Sequence, residues 1–276
     1  MTELREELLV SGGGAVRAFA LDGTWREHYI PLEKSGAIST DNGEVFCASG
    51  DRIVRLDAQS LLPKAILGGG PDMVDMKTSA DGAYLYALCG EADSILMLNL
   101  RSCEPVLLNR AGVNPKRMAI GGDVLAIAGG ESGAVHLLCA KTLSMLGELA
   151  MPGPAYDVAT GGGRLCALCL TASLDSALVT VLGGRRSILR LSGMPGCLLM
   201  QGGLTMAATE GMLYSVSPDG TRVVGMRAAP GRASWMGMAC GRLLLLDAYS
   251  ESLFCQEGAM WRLVCREAAH AVLSSA

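Results

Sequence analysis

Short apolar runs separated by glycine- and aspartate-bearing turns fill almost the whole chain. Residues 71–109 show this pattern most completely, reading PDMVDMKTSADGAYLYALCGEADSILMLNLRSCEPVLLN. An alternating run leads to the turn Asp81-Gly82, and a second run ends at Cys89-Gly90. An acidic turn, a third alternating run, a polar turn and a fourth run follow. Short alternating runs bounded by turn formers are strand signals, and the tight turns between them make neighbouring strands antiparallel. The stretch therefore predicts one four-stranded up-and-down sheet, with strands A to D.

The rest of the chain repeats this unit at intervals of about 37 to 43 residues, a spacing that suits propeller blades. The chain opens on a B strand, Leu8-Leu9-Val10, followed by Val16 to Leu21 and Trp25 to Leu32, with no A strand before them. It closes on an apolar run from Ala269 to Ser275, which reads as an A strand with no B strand after it. The two incomplete ends complete each other. The expected fold is all-β: one domain over 1–276, a seven-bladed β-propeller of four-stranded antiparallel blades. The ring is closed by a C-terminal innermost strand joining the N-terminal blade. The blades span 1–33 plus 269–276, 34–70, 71–112, 113–152, 153–193, 194–230 and 231–268. An isolated four-stranded sheet is marginal because its apolar faces stay wet, and radial stacking covers both. This explains strands that are apolar throughout rather than cleanly alternating.

One repeat carries a more specific pattern. Ser79 to Ala87 followed by Ser94 to Leu100 resembles the YVTN-type propeller repeat, D-G-x-x-x-Y-V and then V-x-V-I-D-x-x-T. Ile53 to Ser60 and Val135 to Thr142 echo its third strand, and the Trp-Asp dipeptide of WD40 repeats is absent. The resemblance implies a WD40-like, seven-bladed propeller. Related propellers include surface-layer proteins and lactonase-like enzymes, and a fold alone does not choose among activities.

Composition narrows the classes. The 276 residues are half hydrophobic and 18% charged, with 36 glycines and a net charge of −4, so the basic footprint of a nucleic-acid binder is missing. The start, MTELREELLVSGGG, lacks the apolar stretch of a signal peptide. Most of the 10 cysteines sit inside apolar runs, where they act as small hydrophobes. A reducing cytoplasm is the expected compartment, although a trimmed export signal would leave no trace here. Cys166 and Cys169 form a CxxC, yet in a strand two side chains three apart point to opposite faces. The apolar stretch Leu165 to Leu182 holds Asp175 near its centre and reads as two strands around a turn rather than a membrane span.

No catalytic signature stands out. The three histidines, His28, His136 and His270, lack zinc-site spacing, so neither metal nor cofactor is expected. The repeat alignment places two sets of polar residues on one face. B-to-C turns carry Asp51, Glu91, Asp93, Glu131, Asp175, Glu210 and Glu251, an acidic rim suited to a basic partner protein. Starts of A strands carry Lys34, Asp72, Lys116, Arg117, Asp157, Arg232 and His270 around the expected channel mouth. Soluble turns also favour such residues. The mouth set suits a small anionic ligand held by Lys116, Arg117 and Arg232.

The expected function is a non-enzymatic protein-binding or scaffold propeller. Two alternatives stand beside it. One is a lactonase-like hydrolase using His270, Arg117 and Asp157. The other is a surface-layer or envelope propeller. No nucleic acid and no membrane span are expected.

Overall fold

The computed structural model describes residues 6–20, 30–31 and 35–275, with side chains from 8–19 and 36–273. Every assigned element among them is a strand. The first sheet contains β1 (Glu6–Gly12), β2 (Ala15–Ala20) and β3 (Ile30–Pro31). The next contains β4 (Ser35–Asp41), β5 (Glu44–Ser49), β6 (Arg52–Asp57) and β7 (Pro63–Gly68). Then come β8 (Met73–Thr78), β9 (Tyr84–Cys89), β10 (Ser94–Asn99) and β11 (Glu104–Arg110). A fourth set is β12 (Arg117–Gly121), β13 (Val124–Ala128), β14 (Ala134–Cys139) and β15 (Met145–Ala150). A fifth is β16 (Ala155–Gly161), β17 (Arg164–Leu170), β18 (Ser176–Leu182) and β19 (Arg185–Leu191). The remainder is β20 (Pro195–Gln201), β21 (Leu204–Val216), β22 (Val223–Ala239), β23 (Arg242–Asp247), β24 (Ser252–Glu257), β25 (Met260–Arg266) and β26 (His270–Ser275).

Five sheets are four-stranded, and within them consecutive strands pair as neighbours in the meander expected from the turns. The architecture is an all-β propeller of antiparallel blades. The turn Asp41-Asn42-Gly43 shows why the sequence punctuates where it does. Asn42 and Gly43 both take positive φ, 45° and 75°, as a tight hairpin with the right-handed twist requires. The expected strand from Trp25 to Leu32 is described only at β3, and Trp25, His28 and Lys34 lie outside the described residues.

One expectation needs correction. Seven separate sheets are predicted; among the described residues there are six, and the sixth contains β20 to β25 in a single six-stranded order. It covers the residues assigned to the sixth and seventh repeats. The reason lies in the hydrogen bonding at two turn signals. At Glu210-Gly211 the ladder runs on, because Glu210 pairs with Arg232 while Met212 pairs with Ala228. The same irregularity carries β22 through Pro230-Gly231, so β22 is a single strand of 17 residues.

The terminal pairing is present. β26 adds to β1 in antiparallel register, with Leu9 opposite Val272 and Ser11 opposite His270. Ala269 donates its N–H to the Ser11 carbonyl at 2.8 Å. Arg17 donates to the Arg266 carbonyl at 2.9 Å and to Glu267 Oε2 at 3.2 Å. Gly12 has to be glycine here, since a Cβ would collide with the Glu267 carbonyl.

Contacts divide the chain into two compact units. One contains Met1–Ala92, Leu96–Val106 and Gly237–Ala276; the other contains Asp93–Ile95 and Leu107–Met236. In the first, Leu9, Val16, Ile38, Val45, Cys47 and Leu56 pack the β1–β3 sheet onto the β4–β7 sheet. Phe46, Ile53, Met76, Leu85 and Leu98 continue the core to the next sheet. In the second, Ala126, Val135, Ala155, Val158 and Ala167 form one apolar layer. Cys166, Leu168, Leu178, Leu198 and Val216 form another. Middle strands such as β9 and β10 are buried almost throughout, whereas β11 is exposed along its whole length. Among the described residues no helix is long and apolar enough to cross a membrane.

This layering predicts a sharp contrast between two leucines. Leu9→Ala, at a position with no exposed surface, should cost about 2–5 kcal/mol in a urea titration. Leu62→Ala, at a position 64% exposed, should stay within about 0.5 kcal/mol. Equal losses at the two positions would contradict this core assignment.

Candidate functional site

The first strands of several sheets share a local distortion. Register shifts occur at Ser35/Ile38 in β4, Met73/Asp75 in β8, Ala155/Asp157 in β16 and Pro195/Leu198 in β20. A bulge of this kind re-aims the side chains beside it. By register Asp75 faces Leu88, Arg117 faces Ala128 and Asp157 faces Leu168. Positions near the start of the first strand of these sheets thus carry Asp75, Arg117 and Asp157.

The second unit gathers several of the predicted mouth residues. Asp157 is buried, and its Oδ1 accepts from the Val158 N–H at 2.8 Å. Its Oδ2 accepts from the Leu198 N–H at 2.7 Å, tying β16 to β20. Arg117 Nη2 donates to the Ser234 carbonyl at 3.2 Å. Arg232 Nε donates to the Pro195 carbonyl at 2.9 Å, and its guanidinium lies 5.2 Å from the Tyr156 ring centroid. That is within cation–π range. Burial pushes the Cys197 thiol well above its ordinary range; Asp157 pushes it further up and Arg117 pulls it down. Lys116 Nζ donates to Asn114 Oδ1 at 2.7 Å. This cluster joins four strands through charge-assisted bonds to backbone groups.

The other predicted mouth residues belong to the first unit. Asp72 is exposed at positive φ, and its carbonyl accepts from the Gly90 N–H at 3.0 Å. His270 sits half-buried at the start of β26 opposite Ser11.

The rim residues divide by what they hold. Asp93 Oδ1 accepts from the Asn114 N–H at 2.7 Å, and the Asp93 carbonyl accepts from Ala111. Asp175 Oδ1 accepts from the Gly193 N–H at 3.2 Å. The Glu251 carbonyl accepts from Ala268 at 2.8 Å. These three brace the segment returning to the next sheet. Asp93 and Glu251 adopt left-handed φ of 51° and 47°. Asp is among the non-glycine residues that tolerate that region best, so part of the acidic pattern at the tips is turn chemistry. Glu91, Glu131 and Glu210 are exposed. Glu131 Oε1 also accepts from Asn114 Nδ2 at 3.0 Å, and Asp51 lies 3.9 Å from its neighbour Arg52.

Sequence reasoning missed Tyr156 and Asn114. Tyr156 directly precedes Asp157 and could have been found by taking the bulge position as a register mark. Asn114 stands at a positive φ of 50°, which its place between Val113 and Pro115 does not announce. None of the ten cysteines is joined in a disulfide. Cys166 contacts the Thr180 and Thr205 hydroxyls at 3.6 and 3.5 Å rather than Cys169. Among the described residues no group of three or more His, Cys, Asp or Glu could hold a metal ion.

No family model matches the chain, and no curated protein does. Solved structures share its fold at low identity. A functionally unknown protein from Desulfotomaculum acetoxidans DSM 771 is 15% identical, with a TM-score of 0.78 over 96% of this chain and 95% of that one. The computationally designed Ika8 protein is 9% identical, with a TM-score of 0.72 over 96% and 84%. Hydrazine synthase from Kuenenia stuttgartiensis is 14% identical, with a TM-score of 0.68 over 85% and 79%. The class these likenesses define is the β-propeller. The likeness to the YVTN-type repeat remains one of pattern.

Thiol reactivity should follow the electrostatics of each site. Hydrogen bonds from the Thr142 hydroxyl and the Lys141 and Thr142 amides hold Cys139 below the ordinary thiol value of 9.0. Burial pushes Cys47 and Cys169 up to about 12. A lowered value means the thiolate, the reactive form, persists at lower pH. Iodoacetamide followed by peptide mass spectrometry should therefore label Cys139 with a half-maximal rate below pH 9.0, leaving Cys47, Cys169 and Cys197 unlabelled until urea unfolds the chain. A second measurement concerns Asp157. Asp157→Ala leaves two backbone N–H groups without their acceptor and should cost about 1–3 kcal/mol in denaturant titration.

Proposed function

We propose that this β-propeller is a protein-binding module that presents acidic turn tips to a basic partner. One observation carries the reading. The exposed carboxylates Glu91 and Glu251 in the first unit, and Glu131 and Glu210 in the second, have no basic side chain paired with them among the described residues. Unpaired surface carboxylates of one sign raise association rates with a basic partner and make binding salt-sensitive. The groups suited to acid–base work give no comparable support to the lactonase-like alternative. Both Asp157 oxygens accept backbone N–H bonds, and Arg117 and Arg232 donate to carbonyls.

In this reading the six-stranded sheet serves as the sixth and seventh repeats together, and the kinship with YVTN-type repeats rests on Ser79 to Ala87 and Ser94 to Leu100. The compartment is a reducing cytoplasm, which suits ten cysteines that form no disulfide.

Affinity capture from cell extract tests the reading, with the wild-type chain set against Glu91→Lys/Glu131→Lys/Glu210→Lys. Basic proteins retained at 50 mM salt should be lost by the triple variant, and wild-type retention should weaken by at least about tenfold when salt is raised above roughly 200 mM. Partners that stay bound to the triple variant at both salt concentrations would refute docking on the acidic turn tips.

A further inference from the structure

The hydrogen-bonded groups around His136 form an arrangement that the repeat pattern hides. β13, β14 and β15 set the ring between two neighbours by register. Cross-strand pairing puts Glu148 of β15 directly opposite His136 of β14. The turn from β13 to β14 carries Ser132, four residues before His136. Ser132 Oγ lies 3.1 Å from His136 Nε2, and Glu148 Oε2 lies 3.5 Å from His136 Nδ1. His136 is 7% exposed, and its Nδ1 is buried without a hydrogen bond. Ser132 is exposed, and the Glu148 side chain is 57% exposed.

Two glycines fit around this ring. A Cβ at Gly112 would sit 2.6 Å from His136 Nε2. A Cβ at Gly129 would sit 2.7 Å from the same nitrogen and collide with Ser132 Oγ. The edge of the imidazole that faces Ser132 is thus kept clear of side chains from both directions.

The tautomer follows from the partners. A carboxylate only accepts hydrogen bonds, so a proton on Nδ1 is the one Glu148 can meet. Nε2 is then the bare nitrogen, and the Ser132 hydroxyl is the donor it faces. Ser132 Oγ also lies 2.9 Å from the Gly129 carbonyl, so the hydroxyl proton has two acceptors to choose between. A nucleophile within hydrogen-bond reach of a base, itself oriented by a third group, is the general arrangement for activating serine. The 3.5 Å separation at Nδ1 is long, as such bonds commonly are before substrate binds, and the half-exposed Glu148 has room to close it.

We propose that Ser132, His136 and Glu148 constitute a nucleophilic acyl-transfer site for small uncharged carboxylic esters. Ser132 Oγ attacks the ester carbonyl carbon, and its proton passes to His136 Nε2. The tetrahedral adduct collapses, the carbon–oxygen bond to the alcohol breaks, and Nε2 returns the proton to the departing alkoxide. Water then attacks the acyl-serine with the same proton relay, releasing the carboxylic acid and restoring Ser132. Glu148 holds the ring and balances the imidazolium formed at each step. Exposed carboxylates at Glu131 and Glu148 disfavour anionic substrates. The proposal is independent of partner binding and stands on different atoms.

Diisopropyl fluorophosphate is the direct probe: the Ser132 oxygen–phosphorus bond forms as the phosphorus–fluorine bond breaks. Incubation with the folded full chain, followed by peptide mass spectrometry, should place one adduct on Ser132. Ser132→Ala should abolish it. His136→Gln should slow it by roughly 100-fold, and Glu148→Gln by roughly tenfold or more. Circular dichroism reports whether each variant keeps the wild-type fold. Should His136→Gln fail to fold, the half-exposed Glu148→Gln variant decides alone. No adduct on Ser132 under conditions that fully label a serine protease would overturn the proposal. So would a rate on Ser132 that Glu148→Gln leaves unchanged, since a merely structural chain would give that result.

Discussion

The pairing of the two ends of the chain is the constraint on which the first unit depends. β1 has β2 on one side, and without β26 its other side would present a row of unpaired N–H and C=O groups. β26 covers that edge over the full register from Glu6–Ser275 to Ser11–His270. The apolar layer with Leu9, Val16 and Ile38 at its centre includes Val272 at its margin, so the same strand also closes a core. Polar groups fix the alignment. The Ser11 hydroxyl donates to the Gly36 carbonyl at 2.5 Å, and the Thr40 hydroxyl reaches the Leu273 carbonyl at 3.4 Å. These contacts join residues more than two hundred positions apart or on successive sheets. The entropy of closing so long a loop grows only slowly with its length, so a few well-placed bonds suffice.

In the second unit, polar side chains substitute for that terminal lock. Asp157, Arg117 and Arg232 each bind a backbone group of another strand. Arg164 does the same, with its Nη1 donating to the Pro218 carbonyl at 2.9 Å. Charge-assisted bonds of this kind are stronger than neutral ones, and removing one partner leaves a buried group unsatisfied. The residues that read as ligand-binding candidates in the sequence therefore also hold strands together. The side chains of Glu91 and Glu210 are different: both are exposed, and among the described residues neither is paired with a basic side chain.

The alternation of apolar residues and the Gly and Asp turn signals made the sheet meander legible, because a pleated strand and a left-handed turn each demand particular side chains. Even the meeting of the chain ends followed from counting strands. The fusion of two expected repeats did not. Gly211 and Gly231 do take positive φ, 77° and 62°, as turn glycines should. What the sequence cannot display is that Glu210 keeps a partner in Arg232 across the irregularity. The polar clusters were legible only in part. Turn acids stood out by position, but whether Asp93 is a free charge or a brace for Asn114 depends on a hydrogen bond between different segments. Likewise Ser132, His136 and Glu148 have no motif spacing. Their proximity comes from the strand register that sets His136 opposite Glu148. Pairing partners are long-range information, and one sequence carries them only through strand order.

Hydrogen exchange across β1 tests the terminal pairing most directly. The amides of Leu8 to Ser11 would be followed by mass spectrometry in the full chain and in a chain ending at residue 269. Slow exchange is expected in the full chain and at least roughly tenfold faster exchange in β1 once β26 is gone, with β12 to β19 much less affected. Equal protection of β1 in both chains would contradict it.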